Sequence, residues 1–265
     1  TPTPPAPPRA RASIAASAGG SAIAFSGAGA VAVNTLMGST DALLRHTQVT
    51  GAQDMGLHAL SDSRISATVT ALSVAIAASS GSGVGASVGI SVARNLIGKG
   101  GFGADSGIAN VRALLIDSSL TSTAGDVVLD AQASQSIQAL VFSGSAAIGG
   151  GGSAGVAASG SGVWAENEIG TRLLAGSLTE QATGVRANVV KAGSLSVTAL
   201  DDSRINAFAG AASLGFAVGG SAGVGISIGV SLARNVIDGV SRAEMVGADV
   251  ALRDGAQMLA TSQAS

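Results

Sequence analysis

Two histidines, His46 and His58, offer the most versatile chemistry in this sequence. They lie twelve residues apart, in a stretch with no repeat counterpart. A histidine pair with a carboxylate can hold a metal ion, but solvated loop histidines explain them as simply, and no metal set is assigned to them. Aspartates gather near the repeat junctions: Asp62, Asp126, Asp130, Asp201, Asp202, Asp249 and Asp254. Hard oxygen ligands of this kind bind calcium, which stays open as the one cofactor option. The G-G-x-G-x-D nonapeptide of calcium β-rolls does not occur, however; Gly149-Gly150-Gly151-Gly152 is followed by Ser153. Turn capping and solubility are the expected roles. The Asp/Arg pairs around Ser63 and Ser203 are expected to bridge adjacent coils, a modest surface contribution.

Other chemical signals are weaker. The run Gly219 to Gly225 lies between two predicted strands, whereas a dinucleotide site needs strand, glycine turn and helix in order. Gly160-Ser161-Gly162 and the glycines from Gly83 to Gly89 read as strand or turn positions, without a histidine partner for a nucleophile. Trp164, the one tryptophan, stands near Glu166 and could stack on a sugar; a core or edge plug is the simpler reading. With no cysteine, disulfides and thiolate chemistry are excluded. No catalytic, cofactor-binding or metal residues are assigned, and an enzyme is not expected.

The elements that carry these residues are built from small side chains. Hydrophobic residues make up 46% of the 265 residues, aromatics 2% and charges 11%, with 39 glycines. An ordinary soluble domain has roughly 25% charged residues. Net charge is -2, so the basic footprint of a nucleic-acid binder is missing. All five prolines fall in the first eight residues, and residues 1–12 read as an extended linker or arm.

Internal repetition dominates the rest, residues 13–265. Ser63-Arg64-Ile65-Ser66 recurs as Ser203-Arg204-Ile205-Asn206, and more loosely as Gln135-Ser136-Ile137-Gln138 and Ala12-Ser13-Ile14-Ala15. An asparagine follows each: Asn34, Asn95, Asn167 and Asn235, spaced 61, 72 and 68 residues apart. The repeat is about 70 residues long. Its constant block, near 14–34, 65–95, 137–167 and 205–235, alternates with period two, as in Val224-Gly225-Ile226-Ser227-Ile228-Gly229-Val230. Each block reads as a long β-hairpin around a Gly-rich turn. The variable block supplies two shorter strands, such as Val111 to Asp117 and Asp126 to Ala131, then Gly184 to Val189 and Ser194 to Ala199, with Asp249 to Leu252 and Gln257 to Thr261 as the last pair. Residues Asn34 to Leu44 read as either strand or short helix. The fold class expected is all-β: an elongated, β-solenoid-like stack of these units. The chain ends at Gln263-Ala264-Ser265, where the next hairpin would begin, which predicts an array that continues in the same chain or a neighbouring copy.

An aliphatic face opposite a Gly/Ser/Ala face has three explanations. Two small faces can pack closer than the usual ~10 Å between sheets. The small face can meet solvent or a partner backbone. Or the chain crosses a membrane, since Ala71 to Ala93 carries no charge and is long enough for a spanning helix. The alternation of its second half and the near-absence of aromatics for a barrel girdle argue against that.

A Gly-rich block, a V-x-x-N-x-I core, a D-V-x-V-x-A strand and an S-x-I-x-A segment resemble the repeats of leukotoxin-type and haemagglutinin-like filamentous adhesins. The matching residues are Val230 to Ile237, Asp126 to Ala131 and Ser203 to Ala207. The resemblance implies a secreted or cell-surface bacterial fibre, with copies of itself or adjacent repeats as partners, and a host surface or polysaccharide as further ones. Nucleic acid is not expected. Polymerisation end to end by strand exchange would follow. The alternatives are a polysaccharide-binding or -processing β-helix and a membrane-inserting β-hairpin protein.

Overall fold

The computed structural model describes residues 9–100, 108–180 and 188–265. They form fourteen strands and no helix: β1 (Arg9–Ser17), β2 (Ser21–Leu36), β3 (Thr40–Arg45), β4 (Gln48–Gly51), β5 (Met55–Ser79), β6 (Ser82–Ile97) and β7 (Ala109–Ile116), then β8 (Ser119–Ser122), β9 (Val127–Gly151), β10 (Ala154–Leu178), β11 (Asn188–Asp201), β12 (Arg204–Gly219), β13 (Ala222–Met245) and β14 (Ala248–Ser262). The all-β expectation holds. Strand also occupies Asn34–Leu36 and Thr40–Leu44, which settles that segment against a helix. Residues 1–8 of the expected linker lie outside the described residues, and Arg9 to Ala12 belong to β1. The predicted strand at Gly184 to Val189 lies mostly outside them too, while Ser194 to Ala199 falls in β11. The last predicted pair is one continuous strand, β14.

Two sheets hold every strand. The first contains β1, β4, β5, β8, β9, β11, β12 and β14; the second contains β2, β3, β6, β7, β10 and β13. All strand pairs within them are parallel, and they join corresponding residues of successive passes of the chain: Ile65 with Ile137, then Ile137 with Ile205. In the second sheet Asn34, Asn95, Asn167 and Asn235 fall in one row. This is compatible with a β-solenoid. Repeats differ in length at the connections: Ile97 pairs with Ile169 and Ala109 with Thr171, so the sequence between the paired positions is longer in the second pass than in the third, which has Gly170 alone.

The Gly-rich turns do not close hairpins, which corrects the expectation. β5 leads into β6 at Ser79–Ser82, yet β5 bonds to β1 and β9, and β6 bonds to β2 and β10. The chain arches from one sheet to the other, and the two strands face each other across the gap. The same holds for β9 with β10 and β12 with β13. An arch lets each strand pair with its own repeat equivalent while the small faces meet inside.

That meeting is close. The Ser73 and Ser87 hydroxyl oxygens lie 2.7 Å apart across the gap, as do those of Ser145 and Ser159. The Ser91 hydroxyl donates to the Phe142 carbonyl at 2.7 Å, and that of Ser231 to the Ala209 carbonyl at 2.7 Å. A side chain of two heavy atoms spans the whole interior. A β-carbon placed on Gly85 would stand 2.5 Å from the Ile148 carbonyl oxygen, and one on Gly89 2.6 Å from that of Gly144. Two small faces packed closer than ~10 Å is therefore the explanation that holds. The strand alternation also removes the spanning helix, since Ala71–Ser79 and Ser82–Ala93 lie in opposite sheets.

Inward side chains shrink toward the arches. Farthest from them, Val111, Leu115, Leu120, Leu129, Leu173, Val190 and Val197 make a conventional core. Next comes a stack of isoleucines, Ile65, Ile97, Ile137 and Ile169. Val69, Val141 and Val163 follow with alanines, and finally Ala22, Ala24, Ala75 and Ala77 alone. The cross-section is a wedge: a thick lobe tapering to a thin blade.

Gly85→Ala is expected to destabilise by about 1–3 kcal/mol, because the methyl meets opposing backbone that cannot step aside. Gly160→Ala, with nothing within 4 Å of its added carbon, is expected to be neutral or slightly stabilising. Urea denaturation of both variants checks the contrast; equal losses would contradict the close approach.

Candidate functional site

The taper turns the blade's outer faces apolar. Because glycine, serine and alanine point inward, the alternating aliphatics must point out. On the second sheet Val88, Ile90, Val156, Ile226 and Ile228 are exposed; on the first, Leu72, Leu140, Phe208, Leu214 and Phe216 are. Part of that exposure, on β1, β2, β12 and β13, belongs to strands with a partner on one side only. Interior rows expose it too: Ile90 is 51% and Leu140 47% accessible, although both strands are flanked on each side. The blade sequence 65–93 carries no charge, nor does 205–233. Isolated exposed aliphatics are ordinary, but contiguous rows of them mark contact surfaces.

Charge returns in one row at the blade's base. Glu166 sits between Arg94 and Arg234 on the neighbouring strands, with contacts of 3.0 and 2.8 Å. Glu168 accepts from Arg234 at 2.6 Å. Trp164 stands one position outward, half-exposed, in the row Val31, Val92, Trp164, Leu232. Its neighbours along that row are aliphatic, and the Glu166 carboxylate follows two residues on along the same face of β10.

Between the sheets, next to this row, the asparagines form a ladder. Asn34 donates to Asn95, Asn95 to Asn167 and Asn167 to Asn235, each at 2.8 Å. Asn95 and Asn167 are fully buried, so their amides depend on one another. The marker that defined the repeat is a hydrogen-bonded chain along the stack. Nearby, the Thr171 hydroxyl bonds Gln135 across the interior at 2.7 Å.

The two histidines are not brought together. His58 lies exposed on the first sheet, its Nδ1 3.6 Å from Asp130, its register partner in the next pass. His46 sits at the sharp corner opposite the blade. Its Nδ1 lies 3.8 Å from Asp117, and its Nε2 3.9 Å from Glu180. Asp117 and Glu180 escaped the sequence reading. The repeat register contained part of the signal, because Arg45 pairs with Ile116 and so sets His46 beside Asp117; the variable block carries no shared motif that marks this register.

The aspartates cap and brace. The Asp54 carboxylate accepts from the Asp126 backbone N–H at 2.9 Å, and the Asp126 carboxylate from that of Ser194 at 2.7 Å, so each holds the turn of the next pass. The expected coil-bridging Asp/Arg pair differs: Asp202, between β11 and β12, binds Arg204 of its own pass at 2.8 Å, while Arg64 reaches the next pass through Gln138 at 2.7 Å. Asp41 and Arg112 do bridge two passes, bidentately at 2.7 and 2.8 Å; the bonded guanidinium holds the Asp41 carboxyl below its ordinary range. Asp201 is fully buried, and burial pushes its carboxyl upward, partly offset by the Ser203 hydroxyl donating at 2.5 Å.

No family model matches the chain, and no curated protein and no solved structure matches it.

Two variants probe these polar positions. Asn167→Ala leaves the buried Asn95 amide without its acceptor inside the stack and is expected to cost about 1–3 kcal/mol; Asn235→Ala takes the acceptor from Asn167 at an exposed end of the ladder, where water replaces it, and is expected to cost under about 1 kcal/mol. Thermal melts compare them, and equal costs would count against the ladder. For Asp201, a carboxyl raised in the folded state binds protons more tightly folded than unfolded. It weakens the fold as pH rises above the unfolded value of about 4. Asp201→Asn is therefore expected to raise the melting temperature at pH 7, with the gain shrinking as pH falls toward about 4. A gain independent of pH would refute that assignment.

Proposed function

We propose that the chain is a structural segment of an exported bacterial fibre or adhesin, a β-solenoid of about 70-residue coils that associates with copies of itself or adjoining repeats. The observation that carries this reading is the in-register stacking of equivalent residues, pass upon pass, with the outer strands β1, β2, β12 and β13 each paired on one side only among the described residues. Open parallel edges bearing the same row pattern as their neighbours are templates for further strands. The asparagine ladder is polarised, with an acceptor oxygen at Asn34 and a donor amide at Asn235 at its two ends, so one end complements the other. Stability then resides in backbone ladders and close small-residue contact, which suits an elongated stalk.

The uncharged apolar outside of the blade also favours a second reading, a membrane-inserting protein. Its outward rows from Thr68 to Ala78 span about 33 Å at ~3.3 Å per residue, near the ~30 Å of a bilayer core.

Light scattering and negative-stain electron microscopy of the purified chain separate the two. Rods that lengthen with protein concentration are the expected result. Stable monomers at every concentration, together with dye release from liposomes, would replace the fibre reading with the membrane one.

A further inference from the structure

We infer that the corner cluster is a binding site for one divalent transition-metal cation, held by His46, Asp117 and Glu180, one ligand from each of three successive passes. One nitrogen or oxygen from each of these side chains lies within 4.8 Å of the other two. Nitrogen–metal and oxygen–metal bonds of about 2.0–2.2 Å put neighbouring ligand atoms a little over 3 Å apart, so small side-chain rotations close the set.

Asp117 supplies the observation that points to a ligand. Its side chain is nine-tenths buried, and its Oδ1 has no hydrogen-bond partner among the described residues. Its other oxygen, Oδ2, stands 3.8 Å from His46 Nδ1, a separation that exceeds a hydrogen bond. A buried carboxylate without donors is costly, and a cation beside it removes that cost. Glu180 divides its two oxygens: Oε1 meets Arg45 at 3.0 Å, and Oε2 faces His46 Nε2, leaving Oε2 for an ion.

The backbone presents these groups at a fixed place. His46 and Asp117 both have left-handed φ values, 52° and 46°, and the His46 N–H bonds the Ile116 carbonyl at 3.0 Å. The two side chains are thus stacked corner on corner. His58 with Asp130 offers no such third ligand among the described residues.

The donor set selects the ion. One imidazole with two carboxylates suits zinc, cobalt or nickel better than calcium or magnesium, which prefer oxygen throughout. Three protein ligands leave room for water. Bound there, the ion ties three passes together on the side opposite the arches.

Titrating zinc chloride into the chelator-treated full chain by calorimetry tests this, with the visible absorption of cobalt(II) as a second readout. One saturable equivalent is expected, with a melting temperature that rises with zinc. His46→Asn and Asp117→Asn keep residues that tolerate left-handed φ; each is expected to weaken binding by at least about tenfold, while His58→Ala leaves it unchanged. Glu180→Gln, on an exposed side chain, carries the same expectation should a corner variant fail to fold. No saturable binding, equal affinity in the corner variants, or loss in His58→Ala overturns the site. A His46 that serves only as an imidazolium between two carboxylates would give the first of these outcomes.

Discussion

Everything distinctive about this chain depends on how closely its two sheets approach along the blade. Serine hydroxyls touch across the gap, and glycines stand where a β-carbon would strike the opposite backbone. Ordinary stacked sheets sit ~10 Å apart with interdigitated side chains between them. Here backbone nearly meets backbone, so the interior tolerates hydrogen, methyl or hydroxymethyl groups and little else. Polar hydroxyls are acceptable inside where they find an oxygen on the facing strand, as those of Ser73, Ser91, Ser145 and Ser231 do; the buried hydroxyls of Ser143 and Ser161 have no such partner among the described residues.

The outside follows from the inside. Period-two alternation sends every second residue outward, and the strands need β-branched residues to hold an extended backbone. Valine and isoleucine excluded from the gap must therefore appear on the surface. The blade is apolar outside and small inside, the reverse of a common sandwich. Where the wedge thickens, the ordinary order returns: leucines and valines fill the lobe, and charged residues such as Asp41 and Arg112 brace its surface.

Stacking along the axis supplies what the thin interior cannot. Each strand pairs with equivalents of itself, which multiplies favourable identities. The asparagine row becomes a ladder, Glu166 is clasped between two arginines, and aspartates of one pass cap the turns of the next. The corner cluster is a product of the same logic. Residues distant in sequence meet because successive passes place them one above another.

The sequence by itself determined the all-strand character, the repeat and its markers. Period-two patterning, the recurring Ile and Asn positions and the Gly-rich turns are local properties, readable without a partner. It also narrowed the small face to three explanations, one of which holds. The pairing scheme was decided only in three dimensions. A Gly-rich turn between two strands looks the same in sequence whether the strands bond to each other or face each other, and the choice rests on longer-range competition: Ile65 has an equivalent partner in Ile137, and Asn95 in Asn167. The corner cluster lay beyond the sequence for a related reason. His46, Asp117 and Glu180 sit in the variable block and its insertions, where repeats differ in length, so their meeting is set by how each pass closes rather than by any motif. The burial of Asp201 likewise depends on a neighbouring strand, not on the residues beside it.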